Sequence, residues 1–186
     1  MIISFDVDEV LVGYIKGFGD YLAAKGFNIP EDRVTSCYSF TDWQLKDKHA
    51  LIKEFAMNGG LLTLDLLESD APQTVKNLIA CGHEVIYNSS RGNDLPVNSQ
   101  AFFTVYDTTA QNLKKHGFPV NGKNLFIGQK DKNSVTFDWH CDDHLETLIS
   151  LTKGTAVCYN QLYNQEYEGL RVNNLKEFAE LIKCQN

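Results

Sequence analysis

The first nine residues constrain this chain more than any other stretch. Met1-Ile2-Ile3-Ser4-Phe5 is a short, largely apolar run of the kind that makes a strand buried on both faces. It passes without a spacer into three acids in four positions, Asp6, Asp8 and Glu9. Side chains two apart in extended backbone point the same way, so Asp6 and Asp8 share one face at the carboxyl end of the strand. Like charges held that close repel unless a proton or a cation lies between them. A hard divalent cation with oxygen ligands, Mg2+ above all, answers that need and commonly brings a phosphate with it. A strand running into an acidic turn is the plainer reading of a bare Asp-x-Asp, and only the rest of the chain can displace it.

With 186 residues, 43% of them hydrophobic, the chain has enough apolar material for one domain with its own core and room for an inserted subdomain. The 24 acids against 17 bases leave a formal charge of -7, which disfavours a nucleic acid polymer as main partner. A single nucleotide needs only a few placed cations and is not excluded. Cys37, Cys81, Cys141, Cys158 and Cys184 are scattered and form no Cys-x-x-Cys, so free thiols in a reducing cytoplasm are expected. The opening carries no basic segment followed by a long apolar one, so no signal peptide is expected, and no apolar run reaches membrane-spanning length.

From Gly13 to about Asn28 the apolar residues Tyr14, Phe18, Tyr21, Leu22 and Phe27 recur at helical spacing, with Gly26 as a stop. Ile29-Pro30-Glu31-Asp32 is a second start signal. Tyr38, Phe40 and Trp43 follow without clean periodicity, and a further helix spans about Lys48 to Met57 before Asn58-Gly59-Gly60. Residues 13–67 therefore read as a small helical insertion. The aromatic residues form the insertion's own core by default; one or two could instead face the acids and stack on a planar substrate group. Beyond it, helices are expected at about 72–80, 99–116, 143–152 and 173–184. Strands are expected at 83–88, 124–128, 136–141 and 155–159. Such alternation implies a mainly parallel sheet with helices on both faces.

Polar clusters follow the strands in four places: Asp6 and Asp8, then Ser89-Ser90-Arg91, then Lys130-Asp131-Lys132, then Asp142-Asp143. Ligands of open parallel sheets sit outside the carboxyl ends of the strands, so all four clusters converge on one rim. In this order the chain resembles the haloacid dehalogenase-like superfamily of phosphatases. Within it, the chain is similar to the 5'(3')-deoxyribonucleotidases. The closer similarity rests on the insertion after Phe5-Asp6-Val7-Asp8, on Gly59-Gly60-Leu61-Leu62-Thr63-Leu64-Asp65, and on Asn88-Ser89-Ser90, Asp131-Lys132 and Asp142-Asp143.

The resemblance implies a Rossmann-like α/β three-layer sandwich, with a catalytic core of residues 1–12 and 68–186 and a helical cap of residues 13–67 inserted after the first strand. It also implies Asp6 as a nucleophile forming an aspartyl-phosphate and Asp8 as general acid and then base. Ser89 would hold the phosphoryl group and Lys132 would neutralise its charge. Asp6, Asp8 (through its backbone carbonyl), Asp142 and Asp143 would bind Mg2+. Lys130 competes with Lys132 for the lysine role, though the family spacing favours Lys132, and Asp143 is favoured over Asp142 as the direct ligand. Ser89 and Ser90 could be a simple turn, Arg91 a solvated cation or a bidentate phosphate ligand, and His140 and His144 polar edge residues. Phe18, Phe40 and Trp43 are the candidates for a base-stacking platform, and Ser90 and Arg91 for further substrate contacts. Two residues depart from the family pattern: Glu9 stands where glycine is usual, and Arg91 where proline is.

The expected substrate is a small phosphorylated metabolite, a nucleoside monophosphate first, with no polymer or membrane as partner and a homodimer left open. A polynucleotide 3'-phosphatase shares the motifs but wants a basic groove. A catalytically silent phosphate-binding protein would not need both Asp6 and Asp8.

Overall fold

The computed structural model describes residues 1–33, 35 and 40–183; Cys37, Tyr38 and Cys184 lie outside them. Six strands, β1 (Ile2–Phe5), β2 (Glu84–Asn88), β3 (Leu125–Phe126), β4 (Trp139–Asp142), β5 (Thr155–Tyr159) and β6 (Leu170–Val172), form one sheet in the order β3-β2-β1-β4-β5-β6. Every pairing is parallel. This is the α/β, Rossmann-like architecture expected from the alternation. The strand order reverses between β1 and β4, and sheets of this kind hold their ligands beyond the carboxyl ends of such a pair. β1 is central and buried, which accounts for its lack of charged side chains.

The helices are α1 (Tyr14–Ala24), α2 (Lys48–Met57), α3 (Ala71–Ala80), α4 (Gln100–Lys115), α5 (Leu145–Ser150) and α6 (Leu175–Lys183). Three of them have a local reason to begin where they do. Asp47 caps α2 by accepting from the Ala50 amide, Ser99 caps α4 by accepting from the Phe102 amide, and Pro72 sits in the first turn of α3. α3 and α6 pack against each other, and the Phe178 ring meets Phe5 of β1 and Trp139 of β4 edge-on.

Two details differ from the sequence expectation. β4 begins at Trp139 rather than Thr136 and includes Asp142. β6 was not expected, being a three-residue edge strand with an exposed first residue and too short for a periodic signal. No helix among the described residues is long and apolar enough to cross a membrane.

The inserted segment is tied to α4 at its C-terminal end. Asn112 of α4 donates its amide to the carbonyls of Leu62 (3.3 Å) and Leu64 (2.9 Å), and His116 Nε2 lies 2.8 Å from the Leu64 carbonyl. Gly60 permits the closest approach in the segment, since a Cβ there would fall 2.1 Å from the Phe55 ring.

Candidate active site

Register brings the acids together. Phe5 pairs with Tyr87 on one side and with Cys141 on the other. The residues that follow, Asp6, Asn88 and Asp142, therefore emerge level with one another at the rim. The Asp6 amide donates to the Cys141 carbonyl (2.9 Å), extending the ladder one residue past β1 and fixing Asp6 beside Asp142. Asp143 follows directly, and Asp6, Asp142 and Asp143 each place a carboxylate oxygen within 4.8 Å of the others. All three are buried.

Lys132 is the counter-charge. It is 3% exposed, and its ammonium donates to Asp6 Oδ1 (2.5 Å) and to the Asn88 carbonyl, with Asp142 Oδ2 at 3.5 Å. Asn88 Nδ2 in turn donates to the Lys132 carbonyl (3.3 Å), so this lysine is held at both ends. Lys130, its rival in the sequence, is exposed. Burial works against a charged Lys132, but Asp6 and Asp142 outweigh it and raise its pKa.

One ammonium cannot balance three buried carboxylates. Burial pushes Asp6 up to about 7 against the pull of Lys132, with Asp142 and Asp8 adding to the rise. Burial likewise drives Asp143 well above its ordinary value, with Asp142 and Asp6 adding repulsion. Asp142 goes the other way: Lys132 and His140 overcome its burial and hold it below the usual carboxylate range. Three oxygen donors, all hard and converging on one point with an excess of negative charge, fit a divalent cation that prefers oxygen.

The surrounding contacts explain why these carboxylates hold their positions. His140 Nε2 lies 2.9 Å from Asp142 Oδ2, and its Nδ1 lies 2.8 Å from Ser4 Oγ. An ionised carboxylate only accepts, so Nε2 carries the proton and Nδ1 accepts from the Ser4 hydroxyl. Burial holds the His140 pKa below its usual value, which favours the neutral ring. The His144 amide donates to the other oxygen of Asp142 (2.8 Å). Tyr163 Oη donates to Asp143 Oδ2 (2.6 Å), and Asn164 Nδ2 to the Asp143 carbonyl (2.8 Å). Arg171 grips the same loop through Asn160, Asn164 and Tyr167.

Several sequence expectations change here. His140 is a buried partner of Asp142 and not an edge residue; its place two residues before Asp142 on one strand was a legible signal for a shared face. Tyr163 carried no signal beyond following a strand at the same rim. The Asp8 carboxylate stands outside the cluster of three, because Arg91 holds it: Nε donates to Oδ2 (2.8 Å) and Nη2 to Oδ1 (2.5 Å). Arg91 is therefore no solvated loop cation; its side chain is 5% exposed. Ser89 is buried, and its hydroxyl accepts from the Arg91 amide (3.2 Å), so it makes the turn expected of a serine there while its O–H remains available to donate. Ser90 is exposed.

Glu9 adopts a left-handed backbone conformation (φ 54°), the geometry for which glycine is usual. Its side chain folds back to the start of α1, where Oε1 accepts from the Ile15 amide (2.7 Å). Burial raises its pKa to about 7 although that amide favours the ion. The extra acid thus caps a helix rather than facing the cluster. A cavity of about 590 Å³ that includes Glu9, Lys16, Asp20 and Asp65 in its lining adjoins this loop.

The proposed stacking platform is corrected. Phe18, Phe40 and Trp43 are 0%, 3% and 5% exposed and pack on each other, with Phe18 to Phe40 at 5.4 Å, Phe18 to Trp43 at 6.4 Å and Phe40 to Trp43 at 4.9 Å between ring centroids. Phe55 and Tyr14 join the group. These rings gain more from burial against one another than from waiting for a ligand. Phe18→Ala is expected to destabilise the fold by about 3–5 kcal/mol in urea denaturation, the cost of a large cavity in an aromatic core. An unchanged unfolding midpoint would restore the platform reading.

No family model and no curated protein matches this chain. Among solved structures it is similar to a hydrolase from Pseudomonas syringae, with 15% identity, 98% of each chain covered and a TM-score of 0.59. It is also similar to a haloacid dehalogenase family hydrolase from Deinococcus radiodurans R1 with bound phosphate and sodium (12% identity, 99% of this chain and 96% of that chain, TM-score 0.55). An L-2-haloacid dehalogenase matches at 11% identity, over 97% of this chain and 98% of that chain, with a TM-score of 0.53. At such identities the likeness is one of fold: the chain shares the α/β fold of these hydrolases.

Proposed function

We propose that this protein is a Mg2+-dependent phosphomonoester hydrolase that works through an aspartyl-phosphate on Asp6. The observation that carries the reading is the buried group of Asp6, Asp142 and Asp143 around the single ammonium of Lys132, at the point where the strand order reverses. That group suits a divalent cation and, beyond it, a phosphoryl group. The fold-level likeness supports a hydrolase, and the bound phosphate of the Deinococcus protein is in keeping with a phosphorylated substrate.

Asp6, Asp142 and Asp143 would hold Mg2+, which when bound screens the carboxylates from the phosphate anion and withdraws charge from its oxygens. Asp6 attacks phosphorus; the new bond from its carboxylate oxygen forms as the bond to the leaving alcohol breaks. Asp8 supplies the proton that the alkoxide takes. In the second step Asp8 takes a proton from water, the water oxygen bonds to phosphorus, and the Asp6 carboxylate leaves. Lys132 and the Ser89 hydroxyl face the charge that develops on the transferring group. Residues 13–67 act as the cap over this site.

We infer a nucleoside monophosphate, a deoxynucleotide first, as substrate. The support is the family resemblance of the Gly59 to Asp65 stretch and of Asn88-Ser89-Ser90. Phosphate release from nucleoside monophosphates and sugar phosphates, with Mg2+ and with chelator, tests it. Deoxynucleotides leading the order is the expected result; sugar phosphates leading would leave the phosphatase and remove the nucleotidase, and release that persists in chelator would remove the metal.

His140 has an effect separable from turnover. His140→Leu removes the proton donor to Asp142 while filling much of the same space, and Mg2+ affinity measured by calorimetry is expected to fall about 10–100-fold. Unchanged affinity would show that Asp142 needs no help from behind.

A further inference from the structure

Arg91 lies where the family pattern has proline, and its contacts were not expected from the sequence. Its guanidinium spans both oxygens of Asp8, through Nε to Oδ2 (2.8 Å) and Nη2 to Oδ1 (2.5 Å), the planar fork-to-fork geometry that a lysine cannot reproduce. The remaining arm, Nη1, donates to the hydroxyl of Thr109 (2.9 Å), which is fully buried on α4. Its backbone is fixed as well, since the Arg91 amide donates to Ser89 Oγ (3.2 Å). The Asp8 side chain is 11% exposed and that of Arg91 is 5% exposed, so the pair sits largely out of water.

Asp8 follows β1 by three residues, on a loop whose course is set by the left-handed Glu9. An aspartate there has two free torsions, and a carboxyl that must both give and take a proton works only at the right distance and in the right plane. A bidentate guanidinium fixes that plane. Each carboxylate oxygen keeps a second lone pair, so the pairing does not use up the capacity to exchange a proton.

We propose that Arg91 is a positioning residue for proton transfer by Asp8, anchored by Thr109, rather than a ligand for the substrate phosphate. This rests on the phosphatase reading. Its consequence falls unequally on the two chemical steps. p-Nitrophenolate leaves without needing a proton, so formation of the Asp6 phosphate from p-nitrophenyl phosphate does not depend on Asp8. Hydrolysis of that intermediate does, because water must lose a proton as its oxygen bonds to phosphorus and the Asp6 carboxylate departs.

The experiment follows p-nitrophenyl phosphate and an alkyl phosphate in Mg2+, with rapid-mixing kinetics and intact-mass detection of phosphorylated chain. In Arg91→Met, a stoichiometric burst of p-nitrophenol at close to the wild-type rate is expected, followed by steady turnover about 100-fold slower, with phosphorylated protein accumulating. On the alkyl phosphate the first step itself should slow by a comparable factor without a burst. Thr109→Val, which leaves both bonds to Asp8 in place and removes only the anchor, should show the same pattern more weakly. Free guanidinium should restore part of the steady rate of Arg91→Met. A raised KM with an equal loss on both substrates and no phosphorylated chain would make Arg91 a phosphate ligand and overturn the proposal. So would a variant that behaves as wild type. Absence of turnover and of phosphorylated chain in the wild-type protein would instead fail the phosphatase reading, and the proposal with it.

Discussion

Replacing Asp6 with asparagine is expected to abolish phosphate release, by a factor of at least ~10^4, because the other carboxylates described at the rim are already committed to partners. Asp8 is tied to Arg91, and Asp142 and Asp143 are held from behind by His140 and Tyr163. The substitution preserves size, and the amide oxygen can still accept from Lys132. It also removes one of three mutually repelling buried carboxylates, so the metal-free protein should be at least as stable as the wild type. That combination separates loss of chemistry from loss of fold. Thermal unfolding at or above the wild-type midpoint, with no release and no phosphorylated chain, is the expected outcome. Retained release would show that phosphorus is attacked by water or by another side chain, and would move the mechanism away from a covalent intermediate.

Lys132→Met should act on stability and activity together. The ammonium is the only cation bonded to Asp6 and the nearest one to Asp142 among the described residues. Removing one partner of a buried ion pair leaves uncompensated charge, at a cost of about 3–5 kcal/mol. For a chain of this size each kcal/mol corresponds to roughly 2–4 °C in unfolding midpoint. In chelator the variant should therefore melt well below the wild type. Mg2+ should raise the variant's midpoint by more than it raises that of the wild type, because the cation then supplies charge that lysine no longer does. Activity should fall by roughly 10^2–10^3, the usual loss when one preorganised charge is withdrawn from a developing anion. Equal shifts with Mg2+ in both proteins would mean that the carboxylates do not share a cation, and the metal site would have to be reassigned.

Much of the core was legible because its signals are local. α2 and α3 begin and end where capping residues, proline and glycine place them. β1, β2 and β5 show as largely apolar runs, and the order of strands and helices implies a parallel sheet. The four polar clusters follow from the rule that ligands gather at the carboxyl ends. What escaped was short or irregular. β6 has three residues, too few to establish a period, and β3 is only two residues of the longer stretch expected for it. The aromatic residues were visible, but a list of rings does not say whether they face one another or a ligand.

The sequence by itself determined which residues stand at the rim, because a buried strand that ends in acids has only one end at which to place them. Tertiary structure alone decided what each of them touches. Arg91 and Asp8 are 83 residues apart, Lys132 and Asp6 are 126 apart, and Ser4 and His140 are 136 apart. No local pattern relates such pairs. They meet because parallel pairing levels the ends of β2, β1 and β4, and because a charge carried out of water at that edge must find its partner there.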